Sequence, residues 1–270
     1  QMLRRVYWLC LFACALVAAC NFPSITAQNV AASKSDTVSD AAHEHKPAKK
    51  SFKIAIFTPY VGNSQILFNI RVAEELLAAG HRPTLYMLHM HDMNITELPV
   101  DPRITVTHVE GSMGLNGSQW LEDQAYFAFN NIPVWDSEFR KAMARWGEIH
   151  KTCERFVTNQ TFLAEVESQG FDLATTYSIN ACPLGIIHKT KIPAWVFLNS
   201  GALMDSVAEV MGVPMPPSYC PPFLMDAGEK LCFVQRVKSL LGTIMYQRGW
   251  RSMVADVETR IFRKAFGPDF

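Results

Sequence analysis

The order of periodicities between residues 51 and 110 constrains this chain more than any other feature. "SFKIAIFTP" is a short β-rich run closed by Pro59, and the segment after it carries Ile66, Ile70, Ala73 and Leu77 on one helical stripe. Ser64 reads as the N-cap and Gly80 as the residue just past the end, so a helix is predicted over Gln65 to Ala79. Two more strands, "RPTLYMLHM" and "ITVTHVE", follow. Strand, helix, strand at this spacing is a βαβ unit, which requires a right-handed crossover and a parallel sheet. The fold class is therefore α/β, with helices flanking a Rossmann-like parallel sheet.

The rest of the chain sorts around that unit. Arg4 and Arg5 precede the apolar run "VYWLCLFACALVAAC", so residues 1–27 read as a secretory signal peptide, cut after Cys20 or Ala27. The run falls short of the roughly 20 apolar residues needed to span a membrane. Residues 28–50 are small, polar and charged without apolar periodicity and read as a disordered linker, leaving 51–270 as the ordered domain. From Trp135 to about Gln169 the pattern is helical, with interruptions expected at Gly147 and Asn159. "GFDLATTYS" and "PAWVFLNS" return to strand on either side of a short helix, "CPLGIIHKTK". "GVPMPPSYCPPF" cannot be regular helix or central strand and is expected as an extended surface arm, before a helical end.

Composition narrows the partners. Lysine plus arginine equals aspartate plus glutamate, 25 of each, so there is no electrostatic case for nucleic acid. Sequons at Asn94, Asn116 and Asn159 agree with a lumenal or extracellular glycoprotein. Cys153, Cys182, Cys220 and Cys232 follow the leader, and spacing alone does not choose among their pairings. His89 and His91 lie two apart at a strand end, but no cysteine or carboxylate cluster accompanies them, and the "HEH" of the linker has no third ligand. No metal or cofactor is expected. The turn after the first strand offers only Gly62, so it lacks the G-x-G-x-x-G of a dinucleotide site. The P-loop, the G-x-S-x-G elbow and the H-E-x-x-H zinc motif are also absent from the sequence.

Three blocks then suggest a family. "FNIRVAEELLAAGHRPTL", "FDLATTYSINACPLGIIHKTKIPAWVFLNSGAL", and "GVPMPPSYCPPFLMD" followed by "FVQRVKSLLG" resemble the N-terminal half of UDP-glucuronosyltransferases, most closely their nematode branch. The resemblance implies the N-terminal, acceptor-binding half of a GT-B glycosyltransferase. A UDP-sugar co-substrate would be held mainly by a C-terminal half that this chain lacks. The family's full-length protein is expected in the secretory pathway, as a single-pass membrane protein facing the ER lumen. Expected partners are a small lipophilic acceptor and oligomers with family members.

The family reaction is inverting transfer, in which a histidine at the start of the first helix takes the acceptor's hydroxyl proton and an aspartate orients that histidine. At the corresponding positions this chain has Gln65, directly after Ser64, and Tyr177, at the end of "FDLATTYS". An amide can hydrogen-bond an acceptor but has no usable basicity. Asp172 belongs to the strand start and is too far back to substitute, whereas Tyr177 is placed to hydrogen-bond Gln65. His81 reads as a helix-capping or surface residue, and His188, on the short helix, is the candidate replacement base. Ser64, Trp120 and Phe127, with Tyr126 and Phe129 nearby, lie where the family holds acceptors. Two functions follow: a transferase moving glucuronate or glucose from a UDP-sugar to small lipophilic acceptors, or a non-catalytic lumenal protein that binds small molecules.

Overall fold

The computed structural model describes residues 50–92, 98–130, 136–223, 225, 227–228 and 230–270, apart from the side chains of residues 127 and 128. The leader, the linker and Asn94 lie outside the described residues. Five strands, β1 (Lys53–Tyr60), β2 (Arg82–His89), β3 (Thr105–Glu110), β4 (Leu173–Thr176) and β5 (Trp195–Phe197), form one sheet in the order β3-β2-β1-β4-β5. All four pairings are parallel. Helices α1 (Asn63–Ala78), α2 (Gly117–Phe129), α3 (Ser137–Lys151), α4 (Cys153–Thr158), α5 (Gln160–Gln169), α6 (Cys182–Lys189), α7 (Asp205–Val210), α8 (Phe233–Trp250) and α9 (Asp256–Phe266) connect and cover it, with one π-helical turn, Arg251–Ala255, between the last two.

β1 is buried on both faces, as the central strand of a covered parallel sheet must be. Its side chains alternate between two cores. Ile54 and Ile56 pack with Ile66, Ile70 and Ala73 of α1, while Ala55 and Phe57 pack with Phe156, Phe162 and Ile186 of α4, α5 and α6. The stripe read from the sequence is the buried face of α1, except that Leu77 is only partly buried. A side chain at Gly185 of α6 would run into the Phe262 ring of α9, so glycine there lets the C-terminal helix lie against the core.

Several local expectations change. Gly62, not Ser64, is the N-cap of α1, and α1 begins two residues earlier than predicted because the Gly62 carbonyl accepts from both Gln65 and Ile66 N–H groups. Gly80 is left-handed (φ 90°) just past the helix, as expected. α3 runs through Gly147 without a break. The helix ends at Thr152 instead, and Asn159 then caps α5 by accepting from Phe162 N–H at 3.0 Å. The short α7 lies between β5 and the proline-rich arm.

Candidate functional site

β1 is flanked by β2 on one side and β4 on the other, so the connections leaving β1 and β4 diverge beyond the carboxyl ends of the strands. Open α/β sheets bind ligands in the crevice at such a switch point. Two turns border it: Val61–Gly62, leading into α1, and Tyr177–Ala181, leading into α6.

The first turn is open. Gly62 is extended (φ −178°) and gives no side-chain cap, and α1 has no acidic residue in its first turn. The positive end of the helix dipole is therefore uncompensated. Ser64 is exposed and Gln65 half-buried. The Gln65 backbone carbonyl accepts from Asn69 Nδ2 at 2.8 Å, whereas its side-chain amide makes no hydrogen bond among the described residues. That amide is free to donate to and accept from a ligand, but it has no proton-accepting lone pair of useful basicity.

The second turn is closed. Tyr177 is 2% exposed and packed in the core. Burial and the Glu258 carboxylate hold its phenol well above the ordinary value, with the Asn180 side chain opposing, and no partner meets its hydroxyl at hydrogen-bonding geometry among the described residues. The expected bond between Tyr177 and Gln65 is therefore not made. Glu258, 1% exposed on α9, accepts from Ala181 N–H at 2.7 Å and pairs with His150 Nδ1 at 3.1 Å. It thus caps α6 from the far end of the chain. Cys153 and Cys182 form a disulfide that ties α4 to α6, leaving Cys220 and Cys232 as free thiols. Beyond the turn, Ser178 Oγ donates to Asn199 Oδ1, and Asn199 Nδ2 donates to the carbonyls of Gly201 and Ala202, which organises the "FLNSGAL" segment.

Beside the first turn, His89 and His108 share a 2.8 Å hydrogen bond, and Tyr60 stacks on His89 at 4.0 Å between ring centroids. Burial pushes the His89 imidazole below its ordinary value; Glu110 opposes this, and His108 and His91 reinforce it. A cleft of about 240 Å³ lined by Tyr60, Ile66, Ile70, Met87, Leu98, Val100, Val106 and His108 opens here, on the α1 face of the sheet. His91 is directed elsewhere, with Nε2 at 3.2 Å from the Val61 carbonyl oxygen and its ring beside Trp120. The two histidines do not converge, and no group of three or more metal-ligating side chains forms among the described residues.

The remaining candidates are dispersed. Trp120 is 8% exposed and belongs to the core cluster, while Tyr126 and Phe129 are exposed; the Phe127 side chain lies outside the described residues. His188 is exposed in the last turn of α6, edge-to-face with Phe270, at the end of that helix away from the switch point. His81 accepts from Phe52 N–H at the opposite, amino-terminal end of the strands, and Asp172 accepts from Lys53 N–H at the start of β4. Asn116 and Asn159 are exposed helix N-caps. Sequence reasoning missed Glu258, although it lies three and four residues before Ile261 and Phe262 and so falls on the apolar stripe of α9.

The family model "UDP-glucoronosyl and UDP-glucosyl transferase" matches residues 82–263. The nematode protein named "Putative UDP-glucuronosyltransferase ugt-48", from Caenorhabditis elegans, is 25% identical over 227 residues, covering 82% of this chain and 42% of that protein. The similarly named ugt-56 of the same organism is 25% identical over 229 residues, covering 80% of this chain and 41% of that protein. UDP-glucuronosyltransferase 2B1 of Rattus norvegicus is 21% identical over 150 residues, covering 52% of this chain and 27% of that protein. No solved structure gives a significant match. The chain spans about two fifths of the length of the nematode relatives it matches. Its parallel sheet, its helical cover and the span of the family match agree, and the chain belongs to the UDP-glucuronosyl and UDP-glucosyl transferase family.

Proposed function

We propose that this chain is the acceptor side of a UDP-sugar-dependent transferase that conjugates glucuronate or glucose to small lipophilic acceptors without a protein general base. The observation that carries this reading is Gln65, half-buried in the first turn of α1 with its amide unengaged, at the position where the family resemblance places the base. In inverting transfer the acceptor oxygen forms its bond to the anomeric carbon as UDP leaves with the bonding electron pair. A hydroxyl acceptor must also lose a proton, and Gln65 cannot take it. Absence of the base lowers the rate for phenols and alcohols by about 10²- to 10⁴-fold. A carboxylate acceptor has no proton to lose and escapes the penalty. The Gln65 amide and the uncapped N–H groups of α1 suit such an anionic oxygen. The apolar leader and the sequons support placing the protein in the ER lumen.

A second reading, a non-catalytic lumenal binding protein, is favoured by Tyr177, whose burial leaves no group to orient a base even if one were present. One assay separates the two. The longest polypeptide encoded by the transcript is incubated with UDP-glucuronate or UDP-glucose and with matched carboxylic and phenolic acceptors. The transferase reading predicts conjugation of the carboxylic acids, and slower phenol conjugation that rises with pH as the phenol ionises. Saturable acceptor binding with no conjugate from either class establishes the binding protein instead.

A further inference from the structure

Helix α8 is packed inside out. Its buried residues are Ser239 and Thr243, with the Thr243 hydroxyl donating to the Ser239 carbonyl at 2.9 Å. Gly242 is also on the inner side, close to Pro222 of the arm. The opposite side carries Phe233 (80% exposed), Val237, Leu240 (51%), Leu241, Ile244 and Met245 (63%), all exposed. At about 100° per residue these positions form one continuous stripe from Phe233 to Met245. A helix docked only to complete a soluble core would turn this stripe inward.

The charge around the stripe says what it fits. The whole chain is balanced, yet residues 230–255 contain Lys230, Arg236, Lys238, Arg248 and Arg251 and no aspartate or glutamate. Arg236 and Lys238 are both exposed and flank the stripe on its two sides, and Arg248 extends it at the C-terminal end. Arg236 also donates from Nε to the Leu231 carbonyl at 3.1 Å, which fixes its stem along the helix. Tyr246 and Trp250 stack on each other on the inner side of the helix, Tyr246 beside Phe223 and Trp250 beside His150. An apolar stripe edged by cations is the pattern of a helix that lies in a membrane interface. No described helix is long and apolar enough to cross a membrane. A second copy of the same face is a poor occupant, because pairing would set Arg236, Lys238 and Arg248 against the same three cations with no acidic residue on the helix to offset them.

We propose that α8 is a membrane-surface helix that seats this face of the domain on anionic lipid, with the stripe sunk into the acyl boundary and the flanking cations at the headgroups. This is independent of the reading of the reaction, since it uses no residue of the switch-point crevice.

A polarity-sensitive fluorophore placed on Met245→Cys, in the processed chain from residue 28 onward with Cys220→Ser and Cys232→Ser, tests it locally. The expected result is a blue shift with vesicles of phosphatidylcholine mixed with phosphatidylserine, weaker with phosphatidylcholine alone and reversed by salt. Lys238→Glu with Arg248→Glu should remove the preference for the anionic vesicles. In unlabelled protein, Leu240→Gln with Leu241→Gln should lower vesicle partition at least about tenfold while leaving the unfolding midpoint unchanged, because both residues are exposed. An unchanged fluorophore on vesicles that nevertheless carry the protein would overturn the proposal, because another segment would then be the lipid contact. A blue shift without vesicles that grows with protein concentration would also overturn it, in favour of a protein interface.

Discussion

The two turns at the switch point have been treated in opposite ways. The turn after β1 is left open: a glycine cap, no acidic residue in the first helical turn, and a Gln65 amide with no hydrogen bond among the described residues. The turn after β4 is locked: Tyr177 is in the core, Glu258 bonds the Ala181 N–H, and the Cys153–Cys182 disulfide fastens α6 to α4. By the family resemblance, the pair of base and orienting carboxylate would correspond to one position from each turn. Only the first of these positions is where a side chain can meet a ligand. The second has become part of the scaffold, so the two departures from the family pattern are not equivalent. Gln65 is a chemical change at an open position, and Tyr177 is a structural commitment.

That distinction can be broken by substitution. The largest effect is expected from Tyr177→Asp, which puts the family's residue type back. It removes a large buried ring and sets a carboxylate in an apolar cluster that already feels the charge of Glu258. Destabilisation should be at least about 4 kcal/mol, read as a lost denaturation midpoint, and a stable, well-folded Tyr177→Asp protein would show that the second turn is not locked. Glu258→Ala comes next. It strands the Ala181 N–H and His150 Nδ1 inside the protein and should cost about 2–4 kcal/mol, whereas Gln65→Ala should change stability by less than about 0.5 kcal/mol. Equal costs for the two would erase the contrast between the turns.

The smallest effect concerns His89 beside the open turn. Burial places its folded pKa below the ordinary 6.5. The unfolded chain therefore takes up the proton first, and the stability linked to His89 is complete above that value and lost as pH falls from there through the folded value. An imidazole NMR titration should place the His89 midpoint below the ordinary 6.5. A midpoint above 6.5 would mean that Glu110, not burial, dominates.

The open turn was largely legible in the sequence and the closed turn was not, for a physical reason. β1, α1, β2 and β3 are spelled by local periodicity, and even the misplaced cap at Ser64 shifted the helix start by only two residues. The position of Gln65 followed from that local reading. Tyr177 could be placed at a strand end, but its burial depends on α9 and on Glu258, which lies 77 residues from the N–H it caps. Contacts of that separation leave no periodic trace. The uninterrupted α3 was misread because glycine lowers helix propensity by only about 1 kcal/mol, less than the packing of Ile149 and His150 holds in place. Of the aromatic residues named for acceptor binding, Trp120 is in the core, in one cluster with Val61 and Met90 and with its ring beside His91, a choice that composition cannot make.

The most direct measurement of the central claim is the rate of conjugate formation by Gln65→His, in the longest polypeptide the transcript encodes, with one phenol and one carboxylic acid of similar shape. If Gln65 is an open position lacking only a base, the phenol rate should rise by about 10²-fold and gain an acid limb set by the new imidazole, while the carboxylic acid rate stays nearly constant. An unchanged phenol rate, or an equal rise for both acceptors, would contradict the account.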